Sequence, residues 1–403
     1  MSRIFIVGSG VVGSATGRGL AAAGHTVTFV DIAPARLAEL ADEGLDARPA
    51  LDLAGEPESF IFLTLPTPNR GRGYDLTALR QGAEDVGRAL AQADARHIVV
   101  VRSTVPPGTT EDVVRPILED GSGLTAGEDF FLGYSPERID PGNTTWTLVN
   151  TPKLVAGINA ESAARINRFY RRLVKRTVLV PRPAEAELAK LLENTYRHVN
   201  IALVNELAIF AAELGIDVWE AIDAAATKPF GYMRFDPGPG VGGHCLPVDP
   251  SYLSWHVRYA LGRPARLIEL ANDINTGMPA YVVNRLVLAL NERSLSLKDR
   301  KVLLLGLSYK KNTGDARESP ARAIATQLVA LGARVAAADP CVLEADVPPG
   351  VGLVDLTEAE VAKADAIVLL VDHDQFDMAS LATCGRLVLD CRRVLGGPDV
   401  EVL

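Results

Sequence analysis

The chain opens with a short apolar strand that runs directly into a glycine-rich turn. Residues 4–7 read Ile-Phe-Ile-Val, and Gly8, Gly10 and Gly13 follow in the spacing Gly-x-Gly-x-x-Gly, before a run of small residues that ends at Ala23. In such a turn the first glycine allows a tight bend, the second admits a pyrophosphate, and the third lets helix and strand pack closely. The feature predicts a βαβ unit whose helix N-terminus binds a dinucleotide through free N–H groups.

The next apolar run, residues 26–30, ends at Asp31. An acid at this place accepts the ribose hydroxyls of the dinucleotide. Its charge would repel a 2′-phosphate, and no compensating cation is nearby in sequence, so we expect NAD rather than NADP. Val11 and Val12, inside the turn, complete the predicted coenzyme contact.

Two further runs of strand type, residues 60–63 and 98–101, end in loops that combine proline with hydroxyl groups. Ligands of doubly wound sheets bind at the carboxyl ends of the strands. These loops are therefore predicted to contact the coenzyme or a reacting hydroxyl, although either alone also suits ordinary loop chemistry. The residues concerned are Pro66, Thr67, Ser103 and Thr104.

The pattern changes after the first doubly wound segment. Residues 184–214 have helical periodicity without Pro or Gly, Leu188, Leu191, Leu192, Thr195 and Val199 lie on or near one stripe, and Gly215 ends the run. Further helices are predicted at 218–226, 266–275 and 279–291. A second α/β block begins at Lys301 and lacks the glycine spacing, which indicates a related sheet adapted to a different ligand.

The predicted fold is α/β, with two Rossmann-like doubly wound domains joined by a long central helix. We place the NAD-binding domain at 1–183, a helical dimerisation domain at 184–296 and the substrate domain at 297–403. A helical middle segment with one very long helix often holds two domains or two subunits together.

Charge and cysteine content restrict the partners. The 403 residues carry a net charge of −9, which disfavours nucleic acid and anionic membranes, so an anionic substrate would need a local basic pocket. No export signal or apolar run of membrane length is visible. The four cysteines form no CxxC pair, which argues against a zinc cluster and predicts a cytoplasmic protein with reduced thiols.

The stretch 238–249 is the most informative for chemistry. Four glycines within six residues leave the backbone open for a ligand, Cys245 follows, and Asp249 stands four residues later. Cys245 is either a thiol nucleophile or a buried structural cysteine. Cys341, Cys384 and Cys391 are interpreted as structural. His244 could lower the thiol pKa, but we assign it a backbone or packing role by default.

Two groups of cations could serve an anionic ligand. Lys190 and Asn194 are four apart on the long helix and share one face, where they either hold an oxyanion or form a solvated surface pair. Residues 310–320, with two lysines, Arg317 and a helix start, form either the phosphate-binding pocket or a solvated loop.

Together these motifs resemble the UDP-glucose/GDP-mannose dehydrogenase family over nearly the whole chain. The resemblance rests on their order, and the joint pattern is very specific. In this chain the motifs are Gly8-x-Gly10-x-x-Gly13, Ser103-Thr104-Val105, Tyr134-Ser135-Pro136-Glu137-Arg138-Ile139, Lys190-x-x-x-Asn194, residues 242–249 and residues 310–320.

The resemblance implies a homodimeric enzyme that carries out a four-electron oxidation with two NAD per substrate. Cys245 would form a thiohemiacetal and then a thioester with C6 of a nucleotide-linked sugar. Lys190 and Asn194 would stabilise oxyanions, and Asp249 would orient or activate water. The remaining assignments are Thr104 and Glu137 for the water and the C6 oxygen, and Arg138, Gly242, Tyr309, Lys310 and Arg392 for the substrate.

Two positions depart from the family pattern: Val11 replaces the usual tyrosine, and Ala316 stands where threonine is common. Neither removes a charged group. The motif forms look more like members that oxidise UDP-N-acetylhexosamines than those for UDP-glucose or GDP-mannose. A GDP-mannose dehydrogenase, a single-step hydroxyacid dehydrogenase and a non-catalytic NAD-binding regulator remain the alternatives.

Overall fold

The computed structural model describes residues 1–70, 73–138, 145–243 and 245–403, with the backbone alone for residues 69, 70 and 245. The chain divides into two compact units. The N-terminal unit comprises Met1–Glu193 and Trp255–Gly262, and the C-terminal unit comprises Asn194–Ser254 and Arg263–Leu403.

The N-terminal unit alternates strands and helices, as predicted for a Rossmann-like domain. Its strands are β1 (Arg3–Val7), β2 (Thr26–Val30), β3 (Asp46–Arg48), β4 (Ser59–Leu63), β5 (Asn69–Arg70), β6 (Gly73–Tyr74), β7 (Ile98–Val101), β8 (Phe131–Tyr134), β9 (Lys153–Gly157) and β10 (Thr177–Leu179). Its helices are α1 (Val11–Ala22), α2 (Pro34–Asp42), α3 (Thr77–Leu90), α4 (Arg115–Ser122), preceded by a π-helical turn at Thr110–Val114, and α5 (Ala160–Tyr170).

Eight of these strands form one sheet in the order β10-β9-β8-β7-β4-β1-β2-β3. All neighbours are parallel except β8 and β9, and β5 pairs with β6 in a separate hairpin. Strands β4 and β7 are buried along their whole length, as expected for apolar runs covered by helices on both faces. The strand order reverses between β1 and β4, where such sheets bind their ligands.

Four helices follow: α6 (Pro183–Leu214), α7 (Val218–Ala226), α8 (Cys245–Leu261) and α9 (Arg266–Glu292). The prediction of two helices at 266–275 and 279–291 is wrong, because α9 continues through Pro279. A proline removes one helical hydrogen bond and favours a break. Here buried side chains on both sides of Pro279, among them Met278 and Val282, keep the helix in one piece.

The leucine stripe of α6 is not a uniform packing face. Leu191 is fully buried, whereas Leu188 and Leu192 are 43% and 60% exposed. The buried face of the helix instead carries a row of polar side chains at helical spacing. These are Glu187, Lys190, Asn194, His198 and Asn205.

The C-terminal unit contains the second Rossmann-like sheet. Its strands are β11 (Lys301–Leu305), β12 (Arg334–Ala338), β13 (Val351–Leu353), β14 (Ala366–Leu369), β15 (Leu387–Asp390) and β16 (Val400–Val402), and its helices are α10 (Pro320–Ala330), α11 (Glu358–Lys363) and α12 (Met378–Ala382). The order β13-β12-β11-β14-β15-β16 is parallel throughout, which confirms the predicted fold class. Among the described residues, no helix combines the length and the apolar character needed to cross a membrane.

Candidate active site

The glycine turn after β1 has the conformation that its sequence predicts. Gly8 adopts φ +91°, where a side chain would be strained, and an added Cβ would lie 2.9 Å from the Thr64 carbonyl oxygen. An added Cβ at Gly13 would collide with the Gly8 carbonyl oxygen. These two glycines are therefore required by the packing of the chain itself.

Gly10 is different, because an added Cβ there would meet nothing within 4 Å in the described part of the chain. It precedes α1, and among the residues that the structure describes no side chain caps this helix. Val11 and Val12 are 72% and 43% exposed beside it. Free amides, open space and exposed apolar surface at one helix N-terminus suit the pyrophosphate of a dinucleotide.

Asp31 is tied to this turn, because its Oδ2 accepts a hydrogen bond from the Ser9 amide at 2.7 Å. The expectation that no cation is nearby in sequence is wrong, because Arg36 follows Asp31 by five residues and contacts the same turn. Arg36 donates to the Ser9 carbonyl oxygen at 2.7 Å and to the Ser14 hydroxyl, and it pairs with Glu39. The guanidinium of Arg36 thus already donates to the turn and pairs with a carboxylate. Fewer of its N–H groups are therefore available to bind a 2′-phosphate.

The loops after β4 and β7 are joined to each other at the switch point. The Thr67 hydroxyl donates to the Thr104 carbonyl oxygen at 2.8 Å, and the Ser103 hydroxyl donates to the Leu65 carbonyl oxygen at 2.7 Å. The structure therefore brings these predicted residues together. Both hydroxyls hold the loops in place, while Thr104 is half-buried and Pro66 is exposed.

A buried carboxylate on α6 anchors the continuation of the second loop. Glu187 accepts hydrogen bonds from the Gly108 amide at 2.6 Å, the Thr110 amide at 2.9 Å and the Thr110 hydroxyl at 2.6 Å. Burial raises the pKa of Glu187 to about 7, against the opposing hydrogen bonds. Sequence analysis missed this residue, which fixes the loop next to Thr104 to the helix turn that carries Lys190.

Glu137 lies in a cluster of charged groups at the ends of β7, β8 and β9. Its Oε2 pairs with the guanidinium of Arg102 and lies 3.4 Å from Nζ of Lys153. Both cationic side chains are almost entirely buried. Burial lowers the pKa of Lys153 to about 7, although Glu137 opposes the change.

Arg138 and Lys190 extend this cluster within the N-terminal unit. Arg138 pairs with Glu193 at 2.7 Å and donates to the Pro152 carbonyl oxygen at 2.6 Å. Lys190 is buried, being 9% exposed, which favours a functional role over the solvated surface pair. Among the described residues of this cluster, the cations Arg102, Arg138, Lys153 and Lys190 outnumber the carboxylates of Glu137 and Glu193.

In the C-terminal unit, Asn194 and Asp249 meet directly. The Asn194 amide donates to Oδ2 of Asp249 at 2.5 Å, and both side chains are buried. Asp249 lies one turn into α8, whose first residue is Cys245. The side chain of Cys245 lies outside the described residues, as do His244 and Ile139.

The glycine-rich loop before α8 packs closely on its own unit, so the idea of a backbone left open for a ligand is wrong for part of it. An added Cβ at Gly242 would lie 2.8 Å from Cβ of Tyr309, and one at Gly243 would lie 2.8 Å from the Tyr309 ring. The loop is also held by the buried Asn205, which accepts from the Gly238 amide at 2.9 Å. Gly242 and Tyr309, both predicted substrate contacts, are therefore neighbours.

The basic loop after β11 is less basic than its sequence suggests. Lys311 pairs with Asp374 at 2.8 Å, and Arg317 pairs with Asp315 at 2.7 Å. These cations are balanced locally, while Lys310 is half-buried. Arg392, also half-buried, donates to the Leu370 carbonyl oxygen at 2.6 Å and lies beside Gly238 of the glycine-rich loop.

Family models match three consecutive segments of the chain. They describe the NAD binding domain, the central domain and the UDP binding domain of one dehydrogenase family, at residues 51–174, 184–277 and 303–397. The chain belongs to the UDP-glucose/GDP-mannose dehydrogenase family. Residues 4–55 of this dehydrogenase also match the model of ketopantoate reductase PanE/ApbA. The chain is an oxidoreductase, and its coenzyme is NAD, as predicted.

Relatives of this dehydrogenase cover most of its length. It is 37% identical over 370 residues to the UDP-N-acetyl-D-glucosamine 6-dehydrogenase of Pseudomonas aeruginosa, covering 87% of this chain and 86% of the relative. The UDP-N-acetyl-D-mannosamine dehydrogenase structure from Pyrococcus horikoshii has 32% identity and a TM-score of 0.84, covering 99% and 98% of the two chains. A UDP-glucose dehydrogenase structure from Pyrobaculum islandicum has 26% identity and a TM-score of 0.86, covering 100% and 96%.

Proposed function

We propose that this dehydrogenase oxidises the C6 hydroxyl of a UDP-linked hexose to the carboxylate, in two steps that pass through a thioester on Cys245. The proposal is based mainly on the buried hydrogen bond between Asn194 and Asp249. Asp249 lies one helix turn after Cys245 on α8. A buried amide and carboxylate bound to each other have a stability cost that a functional role would explain. UDP-N-acetylhexosamines are the preferred substrates, because the names of two extensive relatives specify them.

The two oxidations balance as follows. Loss of a hydride from C6 and a proton from its hydroxyl gives the aldehyde. The Cys245 thiolate adds to the aldehyde carbon, and the resulting oxyanion takes up one proton to become a thiohemiacetal. Loss of a second hydride and a proton gives the thioester, and water then breaks the carbon–sulfur bond to release the carboxylate, the thiol and one proton. NAD, when bound, accepts the hydride in both oxidations.

The residues of the chain have separate roles in this proposal. Lys190 and the Asn194 amide stabilise the oxyanions that form at C6, since preorganised donors act most strongly where charge develops. Asp249 orients the attacking water and assists the thiol, and the first residue of a helix is a position that favours thiolates in proteins. Thr104 and Glu137 position the water and the C6 oxygen.

The remaining contacts divide between coenzyme and substrate. Arg138, Gly242, Tyr309, Lys310 and Arg392 bind the sugar nucleotide. The coenzyme is held by Gly8, Gly10, Val11, Val12, Gly13, Asp31, Pro66, Thr67, Ser103 and Thr104. The division into domains at 1–183, 184–296 and 297–403 is part of the same proposal.

The proposed homodimer forms through α6. Along this helix, large apolar side chains remain exposed at helical spacing, in contrast to the buried polar row on its other face. A stripe of this size on one helix is typical of a surface that pairs with another subunit. Its members are Leu188, Leu192, Tyr196, Leu203, Leu207, Phe210 and Leu214.

A panel of UDP- and GDP-linked sugars, followed at the NADH absorbance, tests the reaction. We expect two NADH per substrate and a uronic acid product with a UDP-linked hexose. One NADH per substrate would indicate a single-step dehydrogenase. Turnover of GDP-mannose alone would change the assigned nucleotide of the substrate from UDP to GDP. No turnover with any sugar would remove the proposal.

The same assay with Cys245→Ser tests the thioester. Serine is a far poorer nucleophile without a dedicated base, so we expect the variant to stall after covalent capture or at the aldehyde, while NAD still binds. Cys384→Ser is the matched control, because Cys384 is a half-buried free thiol in the bend between α12 and β15. Full turnover to the uronate by Cys245→Ser would exclude this cysteine from the mechanism.

A further inference from the structure

Lys153 is a buried cation that neither the sequence motifs nor the proposed mechanism uses. It is the first residue of β9, and its side chain is 4% exposed. Its ammonium group donates to the Pro136 carbonyl oxygen at 2.7 Å, lies 3.4 Å from Oε2 of Glu137 and stands 5.5 Å from the centre of the Tyr170 ring. It therefore contacts Glu137 and the residue immediately before it.

Arg102 approaches the same carboxylate oxygen from the end of β7, and its side chain is 1% exposed. The second oxygen, Oε1, accepts the Arg138 amide at 2.9 Å. Both oxygens of Glu137 are thus fixed, one of them by two buried cations. A carboxylate held in this way has one orientation, although its side chain is 18% exposed and so remains accessible.

Stability alone does not account for this arrangement. Burying a second cation beside the existing ion pair of Arg102 and Glu137 has a desolvation cost that its attraction to one shared carboxylate does not fully offset. Burial lowers the pKa of Lys153 to about 7, which is the direction that such a cost predicts. A long apolar side chain would fill the same space without this desolvation cost. The positive charge of Lys153 therefore needs an explanation other than stability.

We propose that Lys153 is a positioning residue that acts on the reaction through Glu137. It holds the carboxylate oxygen and the Pro136 carbonyl together, and so fixes both the side chain and the backbone of Glu137. The inference rests on the proposed role of Glu137 in placing the water and the C6 oxygen. In this role Lys153 acts through its contacts with Glu137 and Pro136 and not by binding a reactant itself.

A double-mutant cycle tests the inference, with Lys153→Met, Glu137→Gln and the double variant. We expect Lys153→Met to lower kcat by about 10- to 100-fold, since small displacements of a reacting group have effects of this size. In the Glu137→Gln background, Lys153→Met should change kcat by less than about twofold, because coupled residues are not additive. Lys175→Met, which removes an exposed lysine of the same unit, is the control.

If Lys153→Met lowered kcat by the same factor in the wild-type and in the Glu137→Gln background, its role would be merely structural and the inference would be overturned. Wild-type activity in Lys153→Met would overturn it as well. If Lys153→Met does not fold, as judged by NAD binding and thermal midpoint, Lys153→Arg replaces it. Arginine keeps the charge but not the length, so a smaller loss, again confined to the background with Glu137, is expected.

A second measurement separates this inference from the proposed function. With ¹³C-labelled lysine side chains, the Lys153 resonance is identified by its absence in Lys153→Met, and its titration midpoint should fall by about one unit or more in Glu137→Gln. An unchanged midpoint would refute the contact. If the midpoint falls but wild-type enzyme oxidises no nucleotide sugar, it is the proposed function that has failed.

Discussion

At the ends of β1 and β11 the chain makes the same turn in two different sheets. Gly8, at φ +91°, donates its amide to the Val30 carbonyl oxygen, and Gly306, at φ +90°, donates to that of Ala338, both at 2.9 Å. In each sheet the second strand is followed directly by an aspartate. The two sheets therefore begin from one backbone geometry, and their difference lies in the side chains that surround it.

The two aspartates show that difference. Asp31 is half-buried and takes one amide from the glycine turn, whereas Asp339 is 9% exposed and accepts the amides of Leu307 and Ser308. Burial alone would raise the pKa of Asp339, but His373 and backbone amides outweigh it and hold the pKa well below its usual range. Asp339 is thus more fully engaged by its own protein than Asp31, which is the proposed ribose contact.

The cations differ in the same way. In the part of the N-terminal unit that the structure describes, the buried Arg102 and Lys153 share the single carboxylate of Glu137, whereas Lys311 and Arg317 after β11 each have an acidic partner. The shared turn geometry is thus accompanied by buried cations in the described part of the N-terminal unit and by paired cations after β11. Function follows from these local side chains rather than from the fold.

The largest effect that would sharpen this comparison is expected at Lys190. Lys190→Ala should lower kcat by about 100- to 1000-fold with little change in substrate affinity, because an oxyanion donor acts mainly in the transition state. Lys311→Ala should leave kcat close to the wild-type value. Steady-state kinetics at saturating NAD decide the matter, and a raised KM at unchanged kcat would assign Lys190 to the diphosphate instead.

The paired aspartates give the next effect. Asp339→Ala leaves several buried amides without an acceptor and should cost the C-terminal unit about 3 kcal/mol, seen as a lower thermal midpoint. Asp31→Ala should keep the midpoint, weaken NAD binding and reduce the preference over NADP. If Asp31→Ala left the NAD:NADP ratio of kcat/KM unchanged, Asp31 would not determine the coenzyme.

The smallest effect concerns pH and the loop anchor Glu187. Because its pKa is raised from 4.5 to about 7, the folded state retains a proton that the unfolded chain releases earlier, so this group lowers stability as pH rises through that window. As pH rises from 4.5 to about 7, the free energy of unfolding of the wild type should fall relative to that of Glu187→Gln by an amount on the order of 1 to 3 kcal/mol. If the stability of the wild type and that of Glu187→Gln depended on pH in the same way, the raised pKa of Glu187 would be contradicted.

What could be predicted from sequence was local. The strand, the glycine spacing and Asp31 lie within about thirty residues of one another, and the family motifs supplied Glu137, Lys190, Asn194 and Asp249. The partners of those residues could not be predicted. Lys153 belongs to no motif, and Lys311 is balanced in part by Asp372, 61 residues away. The continuity of α9 through Pro279 likewise depends on tertiary packing, which overrides the local preference of proline.

The three glycines of the first turn are required for different reasons, and this difference has an evolutionary consequence. Substitutions at Gly8 and Gly13 collide with the chain itself, so every folded descendant must keep them. Gly10 has ordinary backbone angles, and no described residue would meet an added Cβ there within 4 Å, so the proposed coenzyme contact is what would oppose a side chain at this position. In a lineage that abandoned the dinucleotide but kept the fold, position 10 would drift first and thereby mark the loss.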